Sequence, residues 1–419
     1  MQQEQSAEDI RINAIQALQP TGEVKRISYN GSYDLYDVYE VPLQYLVYNA
    51  HNGRIRSLTL SYESQFHTLD AQNEQDKLVI EQFLYDSAKS RNERTIESIE
   101  LTGQQEVGII TKDGVIIDGN RRAMLLNLIN LRKGENRLFK TVVLPDKLID
   151  KKKEIITLET SYQMGVDSKV DYNPIEKYIR CKELKEFFTV DEIARKMAEG
   201  TKQVEEWLNI LELMEDYLND LGTPETYTRL EKREGHFVDL HKYLRSYQGS
   251  SGRQVVDWNY TDADVQDLKK AYFSYIRLGV PVASTRVIAR PANRNGFFCY
   301  GDVWKDFVKD YKKILDKTED VDFDLLISTN KNETTAELID WVDKKWKETV
   351  EEDLDENLFY YESVLGDKLK KLEPLRLLKR AKSTLFQIDL DILRQEMDDE
   401  KRGLINDLEG RIVSLKELC

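Results

Sequence analysis

The sequence is poor in the residues that hold metals and staple small folds. Its three cysteines, Cys181, Cys299 and Cys419, lie far apart, an odd number without a CxxC pair. That argues against a disulfide framework and against structural zinc. The four histidines form no ligand motif. His236 and His241 stand five residues apart, not at the i, i+4 spacing that places two ligands on one helix face. No apolar run approaches the roughly 18 residues that a membrane span needs. The opening MQQEQSAEDIRINAIQALQP lacks the basic start and apolar centre of a signal peptide. These absences lead to the expectation of a cytoplasmic chain with no membrane partner. Positive charge is also short: 61 Lys and Arg face 76 Asp and Glu, a net of −15. A protein that coats DNA by bulk electrostatics is thereby disfavoured, so any nucleic-acid contact must come from a local basic patch.

What is present fits two or three domains, because 419 residues exceed one ordinary core. Residues 1–20 read as a short polar helix. Residues 24–41 alternate aromatic and polar side chains around Asn30-Gly31, a strong hairpin signal. VPLQYLVYNAHNGRI at 41–55 reads as a strand feeding an irregular Asn-rich loop. Helical periodicity at 70–90 puts Leu78, Val79, Phe83 and Leu84 on one face. Strands are expected over Glu106–Thr111, Val115–Ile117 and Lys140–Leu144. Between them a helix over 120–132 shows Met124, Leu125, Leu128 and Leu131 to the core and stops at Gly134. Beyond residue 148 the pattern is helical. Ser- and Gly-rich 246–256 reads as a linker, and PANRNGF at 291–297 as a second break. Near the end, Leu385, Ile388 and Ile392, then Ile405, Leu408, Ile412 and Leu415, repeat at heptad-like spacing, which suits an antiparallel helix pair or a dimer contact.

The chemistry concentrates in GQQEVGIITKDGVIIDGNRRAML, residues 103–125. A strand ends at Ile117, Asp118 and Gly119 turn, and a helix opens at Asn120. Arg121 and Arg122 fall in its first turn, the end where the helix dipole disfavours cations. One reading is a tight turn with solvated arginines. The other is an anion site, in which free backbone N–H groups, the dipole and a guanidinium converge on a phosphate while Gly119 lets it approach.

The segment resembles the N-terminal domain of the ParB and sulfiredoxin superfamily. Its first box corresponds to Ile99-Glu100-Leu101-Thr102-Gly103-Gln104-Gln105, and its "GERR" box to Gly119-Asn120-Arg121-Arg122. Arg54 matches the arginine after the family's first strand. Residues 171–215, with Asn173-Pro174-Ile175-Glu176 and then Thr189-Val190-Asp191-Glu192, resemble the ParB helix-turn-helix. Read from the residues alone, Asn173 is an N-cap before Pro174, and Thr189 with Glu192 forms a capping box. The resemblance spans about residues 40–215. It implies an α+β ParB/sulfiredoxin-like domain over 41–165, preceded by an extension with a hairpin over 1–40. A helix-turn-helix domain over 166–245 and a helical domain over 257–419 follow.

It also implies a nucleoside triphosphate, CTP or ATP with Mg²⁺, held by Arg54, Gly103, Gln104, Gln105, Asp118, Gly119, Asn120, Arg121 and Arg122. Glu159 stands where the family's third box has an acidic residue near the metal, although Thr160 replaces the expected Asn. Lys202, Gln203 and Asn209, on the exposed side of the helix expected to start at Thr201, are the candidate DNA contacts. The leading expectation is therefore a DNA-associated, nucleotide-regulated protein. Two others stay open: an NTPase, phosphotransferase or nuclease on the same scaffold, and a catalytically silent scaffold whose C-terminal helices bind a protein or a second copy.

Overall fold

Both residues of the Asn30-Gly31 turn take positive φ, 52° and 79°. That geometry gives a two-residue turn the twist of its flanking strands. It joins β1 (Val24–Tyr29) to β2 (Ser32–Val41), with Tyr29 opposite Ser32. The computed structural model describes residues 6–162, 173–248, 255–319, 321, 323–330 and 333–418. The hairpin is not a separate extension. The far half of β2 pairs with β5 (Phe139–Val143), which runs parallel to β3 (Gly108–Ile110), and β3 pairs antiparallel with β4 (Ile116–Asp118). The sheet order is β1-β2-β5-β3-β4.

Each face of this sheet is covered. On one, Val41, Ile110, Ile116 and Phe139 pack on α3 (Glu74–Asp86), α4 (Lys89–Thr102) and α5 (Asn120–Lys133), with α1 (Ala7–Gln16) at the side. On the other, Val38, Ile109, Ile117 and Val142 pack on Ile155 and Leu158 of α6 (Lys152–Ser161). The small mixed sheet with helices, followed by a largely helical remainder, is an α+β architecture.

Three local expectations shift. The strand expected to open 41–55 is instead a 3-10 turn over Leu43–Tyr45, and Val47 alone bridges to Val115. Pro42 has no N–H to donate and so interrupts the ladder at that point. On α3, Leu84 is buried and Val79 and Phe83 pack against the same core as expected, but Ile80 is buried in place of Leu78, which is exposed. On α5 the inner face is Ala123 to Leu126 and Ile129, and Leu131 is exposed. Gly134, in the left-handed region, ends α5 as its composition demands.

The remainder comprises α7 (Pro174–Leu184), α8 (Val190–Lys196), α9 (Thr201–Asp220), α10 (Glu234–Tyr247), α11 (Asp262–Leu278), α12 (Val282–Ala289) and α13 (Gly301–Leu315). Then come α14 (Phe323–Thr329), α15 (Thr335–Leu385), α16 (Leu390–Gln395) and α17 (Asp399–Lys416). One continuous core runs from Ile175 to Leu365, so residues on both sides of the expected 246–256 linker share it. Residues 249–254 of that linker lie outside the described residues. The break at 291–297 is no solvated loop where it ends: Phe297, Phe298 and Cys299 are fully buried. Among the described residues, no helix is long and apolar enough to cross a membrane.

Candidate functional site

The chain leaves β4 through Asp118 and turns at Gly119 into α5. Gly119 has φ +105°, where side chains rarely sit, and an added Cβ would lie 2.7 Å from Cζ of Phe139. Glycine is therefore required twice, by the backbone and by the ring against it. No side chain caps the helix that follows. Asn120 turns inward instead and is buried. Its Oδ1 accepts the Asn49 N–H at 2.9 Å and its amide donates to the Ile116 carbonyl at 3.1 Å. Asn120 thus ties the Asn-rich loop to β4.

The two arginines part company. Arg122 folds back, with Nη2 2.7 Å from Oδ2 of Asp118 and Nη1 donating to the Glu106 carbonyl. The protein's own carboxylate compensates its charge. Arg121 lies along α4, where Nε donates to Oδ1 of Asn92 at 2.7 Å and Nη2 to Oγ1 of Thr95 at 3.1 Å.

Around this turn is a cleft of about 410 Å³ where three helix starts meet. Residues Gly119 to Arg122 line it from α5, Ser90 and Arg91 from α4, and Asn173 and Glu176 from α7, while Asn52 and Arg54 close it from the loop before α2 (Arg56–Glu63). The start of α4, like that of α5, has no side-chain cap. Four arginines line the cleft against two carboxylates, Asp118 and Glu176. That is a local excess of positive charge in a chain of net −15.

Glu176 is buried, and its carboxylate faces the start of α2. It accepts the Ser57 N–H at 3.1 Å and the Ser57 hydroxyl at 2.6 Å. A carboxylate from α7 therefore caps a helix of the α/β unit. Burial pushes its pKa from an ordinary 4.5 up to about 7, against the opposing pull of those hydrogen bonds and of Arg180.

Other residues expected at the site lie elsewhere. Gly103 ends α4 with φ +74°, a helix length away from the cleft. The Gln104 amide brackets Lys140 on β5, donating to its carbonyl at 2.7 Å and accepting its N–H at 2.9 Å. Gln105 donates to the Thr102 carbonyl. These contacts clamp α4 to the sheet, and none of the three residues lines the cleft. Glu159, expected beside a metal, is fully buried in an ion pair with Arg180 at 3.2 Å. Arg180 also meets Glu183 at 3.3 Å, and Glu183 accepts from Arg56 at 2.7 Å. This chain of charges joins α6, α7 and α2. Among the described residues, no cluster of three or more His, Cys, Asp or Glu is placed to hold a metal ion.

On α9, Lys202 and Asn209 line a groove walled by α10 and α11. Glu205, Glu206, Glu212 and Asp216 line it too, so the outward side of α9 is acidic. Gln203 is half-buried. Positive charge sits nearby instead: Lys153 and Lys196 lie 4.8 and 4.2 Å from the Phe188 ring, and Lys152 lies 5.7 Å from that of Phe187.

Reasoning from sequence missed Arg91, Asn52 and Glu176. Glu176 stood in view within the Asn173-Pro174-Ile175-Glu176 start of α7, but nothing local says that it caps a different helix. Arg91 has no signal at all, since only the fold brings the start of α4 to that of α5. The sequence matches no protein-family model, and a search of curated proteins gives no match.

Proposed function

We propose that this protein binds the phosphates of a nucleotide in the cleft at the starts of α4 and α5. We further propose that occupancy of the cleft governs the helical body, through which a DNA-associated protein of ParB-like kind meets its DNA. The observation that carries the first reading is the convergence of two uncapped helix starts and four arginines on one cleft. The first backbone N–H groups of a helix have no partner within it, and the dipole there favours negative charge. Two such ends with guanidinium groups around them suit a polyanion better than a neutral ligand. A volume of about 410 Å³ lies within the range of small-molecule sites. The resemblance to ParB and sulfiredoxin-like proteins points to the same turn and favours CTP or ATP. Mg²⁺ would arrive with the nucleotide. The chain's own share in holding it is small, because Arg122 already engages Asp118 and Ser57 already engages Glu176.

The DNA reading rests on α8 and α9, opened by the Thr189–Glu192 capping box and by Gly200. The acidic outward side of α9 speaks against Lys202, Gln203 and Asn209 as the main contacts. Lys152, Lys153 and Lys196 over their phenylalanine rings offer phosphates a better surface.

A thermal-shift series with CTP, ATP, GTP and UTP, each with Mg²⁺ and with or without duplex DNA, tests the proposal. A ligand that binds only the folded state raises its melting temperature by mass action. One nucleotide should stabilise the parent. Arg121→Ala should keep the fold and bind that nucleotide about 10- to 100-fold more weakly, the worth of a charge-assisted hydrogen bond. No stabilisation of the parent by any nucleotide, or equal affinity in Arg121→Ala, refutes the site.

A further inference from the structure

Lysines in this part of the molecule commonly meet a carboxylate, as Lys147 meets Glu8 at 2.6 Å and Lys182 meets Glu215 at 2.7 Å. Lys152 and Lys153 at the start of α6 and Lys196 at the end of α8 do not: among the described residues, none of the three is paired with a carboxylate. They stand over two adjacent rings just after α7. Lys152 is 5.7 Å from the centre of the Phe187 ring, and Lys153 and Lys196 are 4.8 and 4.2 Å from that of Phe188. Phe188 thus holds two ammonium groups. Burial lowers the pKa of Lys196, and the charges of Lys153 and Arg195 lower it too, against the pull of Glu192. A ring holds a cation less strongly than an anion does, so the three charges stay available to phosphate.

Beside Phe187 opens a cavity of about 220 Å³, which shares no lining residue with the cleft at the starts of α4 and α5. Leu60, Ile156, Ile179, Phe187 and Tyr227 give it an apolar wall. Lys152 belongs to its lining and also stands over the Phe187 ring, so an anion drawn to that lysine lies at the mouth. The volume is below the roughly 300–1,000 Å³ of a site for a whole small molecule, and suits one flat ring. Glu186 and Glu225 line the cavity as well. Carboxylates there repel a phosphate but accept hydrogen bonds from the amino groups of a base. Phosphates belong outside, on the lysines, and a base belongs inside.

We propose that this cavity takes one unpaired base of a nucleic-acid strand, while Lys152, Lys153 and Lys196 hold the phosphates beside that base. The proposal rests on the reading that this surface meets DNA, and it narrows the partner to DNA with exposed bases. In a duplex the bases are stacked inward, and one must leave the stack before it can enter a pocket. A single strand offers base and backbone together, and aromatic rings beside a basic track hold both. An aromatic side chain of a partner protein would fill the cavity but leave the three lysines without an anion.

Fluorescence anisotropy on the full chain reads the outcome with four labelled probes: a short DNA strand, its duplex, the same strand made abasic throughout, and the RNA strand of that sequence. The parent should bind the DNA strand about tenfold more tightly than the duplex or the abasic strand, a loss in the range of one stacked base. Phe187→Leu keeps an apolar wall without a ring face. It should weaken the DNA strand about tenfold and leave the abasic strand unchanged. Lys153→Gln with Lys196→Gln should weaken both strands and flatten the salt dependence, each lost phosphate contact taking about 0.7 from its slope. Circular dichroism checks that the variants fold, and the abasic comparison on the parent needs no variant. An abasic strand bound as tightly as the intact one overturns the base pocket, as does full affinity in Phe187→Leu; duplex binding in the same series would then leave the DNA reading standing. Preference for the RNA strand over the DNA strand overturns DNA as the partner. No binding of strand or duplex overturns the pocket and the DNA reading together.

Discussion

Glu176 makes the most direct demand on the energetics. It is a carboxylate taken out of water to cap the start of α2, and burial lifts its pKa from about 4.5 in an unfolded chain to about 7 in the folded one. Between those values the folded state holds a proton that the unfolded state has lost. Stability from this group is therefore full below about pH 4.5 and falls as pH rises through 7. The gap between the two pKa values, at about 1.4 kcal/mol per pH unit, is worth about 3 kcal/mol. About 2.5 kcal/mol of it is lost between pH 5 and pH 8. Glu176→Gln is neutral throughout, and its amide oxygen still accepts the Ser57 N–H. Urea unfolding of parent and variant at pH 5 and pH 8 isolates the effect, because other titrating groups, His51 and His236 included, are common to both chains. The variant should gain about 2.5 kcal/mol on the parent over that range. Parallel stability profiles would refute the reasoning: Glu176 would then be an ordinary ionised carboxylate with no buried cost.

Two further pairs of substitutions test the joints of the fold. Arg180→Met removes one partner from a buried ion pair and leaves Glu159 uncompensated, which should cost about 3–5 kcal/mol. Adding Glu159→Leu should restore most of that loss, measured by the same urea midpoints, and a double variant no better than the single contradicts the pairing. Gly119→Ala should destabilise by roughly 1–3 kcal/mol through its positive φ alone. Phe139→Leu, which relieves the ring, should recover only part of this, and full recovery would show that the backbone tolerates the residue.

Where sequence pattern alone decides a conformation, it could be read. Asn30-Gly31 needs no neighbours to make its turn, and Gly119 with Gly134 brackets α5 by backbone preference. The strand expected to open 41–55 failed because apolar content says nothing of which edge is free to pair, and Pro42 cannot donate. On α3 only Leu78 was misplaced: it and Ile80 are equally apolar, and only the packed sheet chooses between them. Half of the candidate site was local and legible: Asp118 to Arg122 form one turn. The other half comes from the starts of α4 and α7, far away in sequence. Gln104 and Glu159 occupy the positions that the resemblance assigns to a ligand site. Yet one clamps a helix to the sheet, and the other neutralises a buried arginine. Residue type at a motif position cannot distinguish those roles from ligand contact; the partner across the fold does.

The cleft and the helical body share a joint at the start of α2. A helix is ordinarily capped by its own preceding residue, as Asn173 caps α7 by accepting the Ile175 N–H at 3.1 Å. α2 is not: no side chain caps it from its own N-cap position, Ile55, and the Glu176 carboxylate on α7 takes the Ser57 N–H instead. Any rotation of α7 must therefore carry α2 with it or leave a buried helix end and a buried carboxylate without partners, each a cost of about 1–3 kcal/mol. Asn173 and Glu176 also line the cleft, beside the starts of α4 and α5. A phosphate drawn to those starts sits against the residues that tie the two parts together. The direct way for an anion there to act on the helical body is through α7, by favouring one stance of that helix over another.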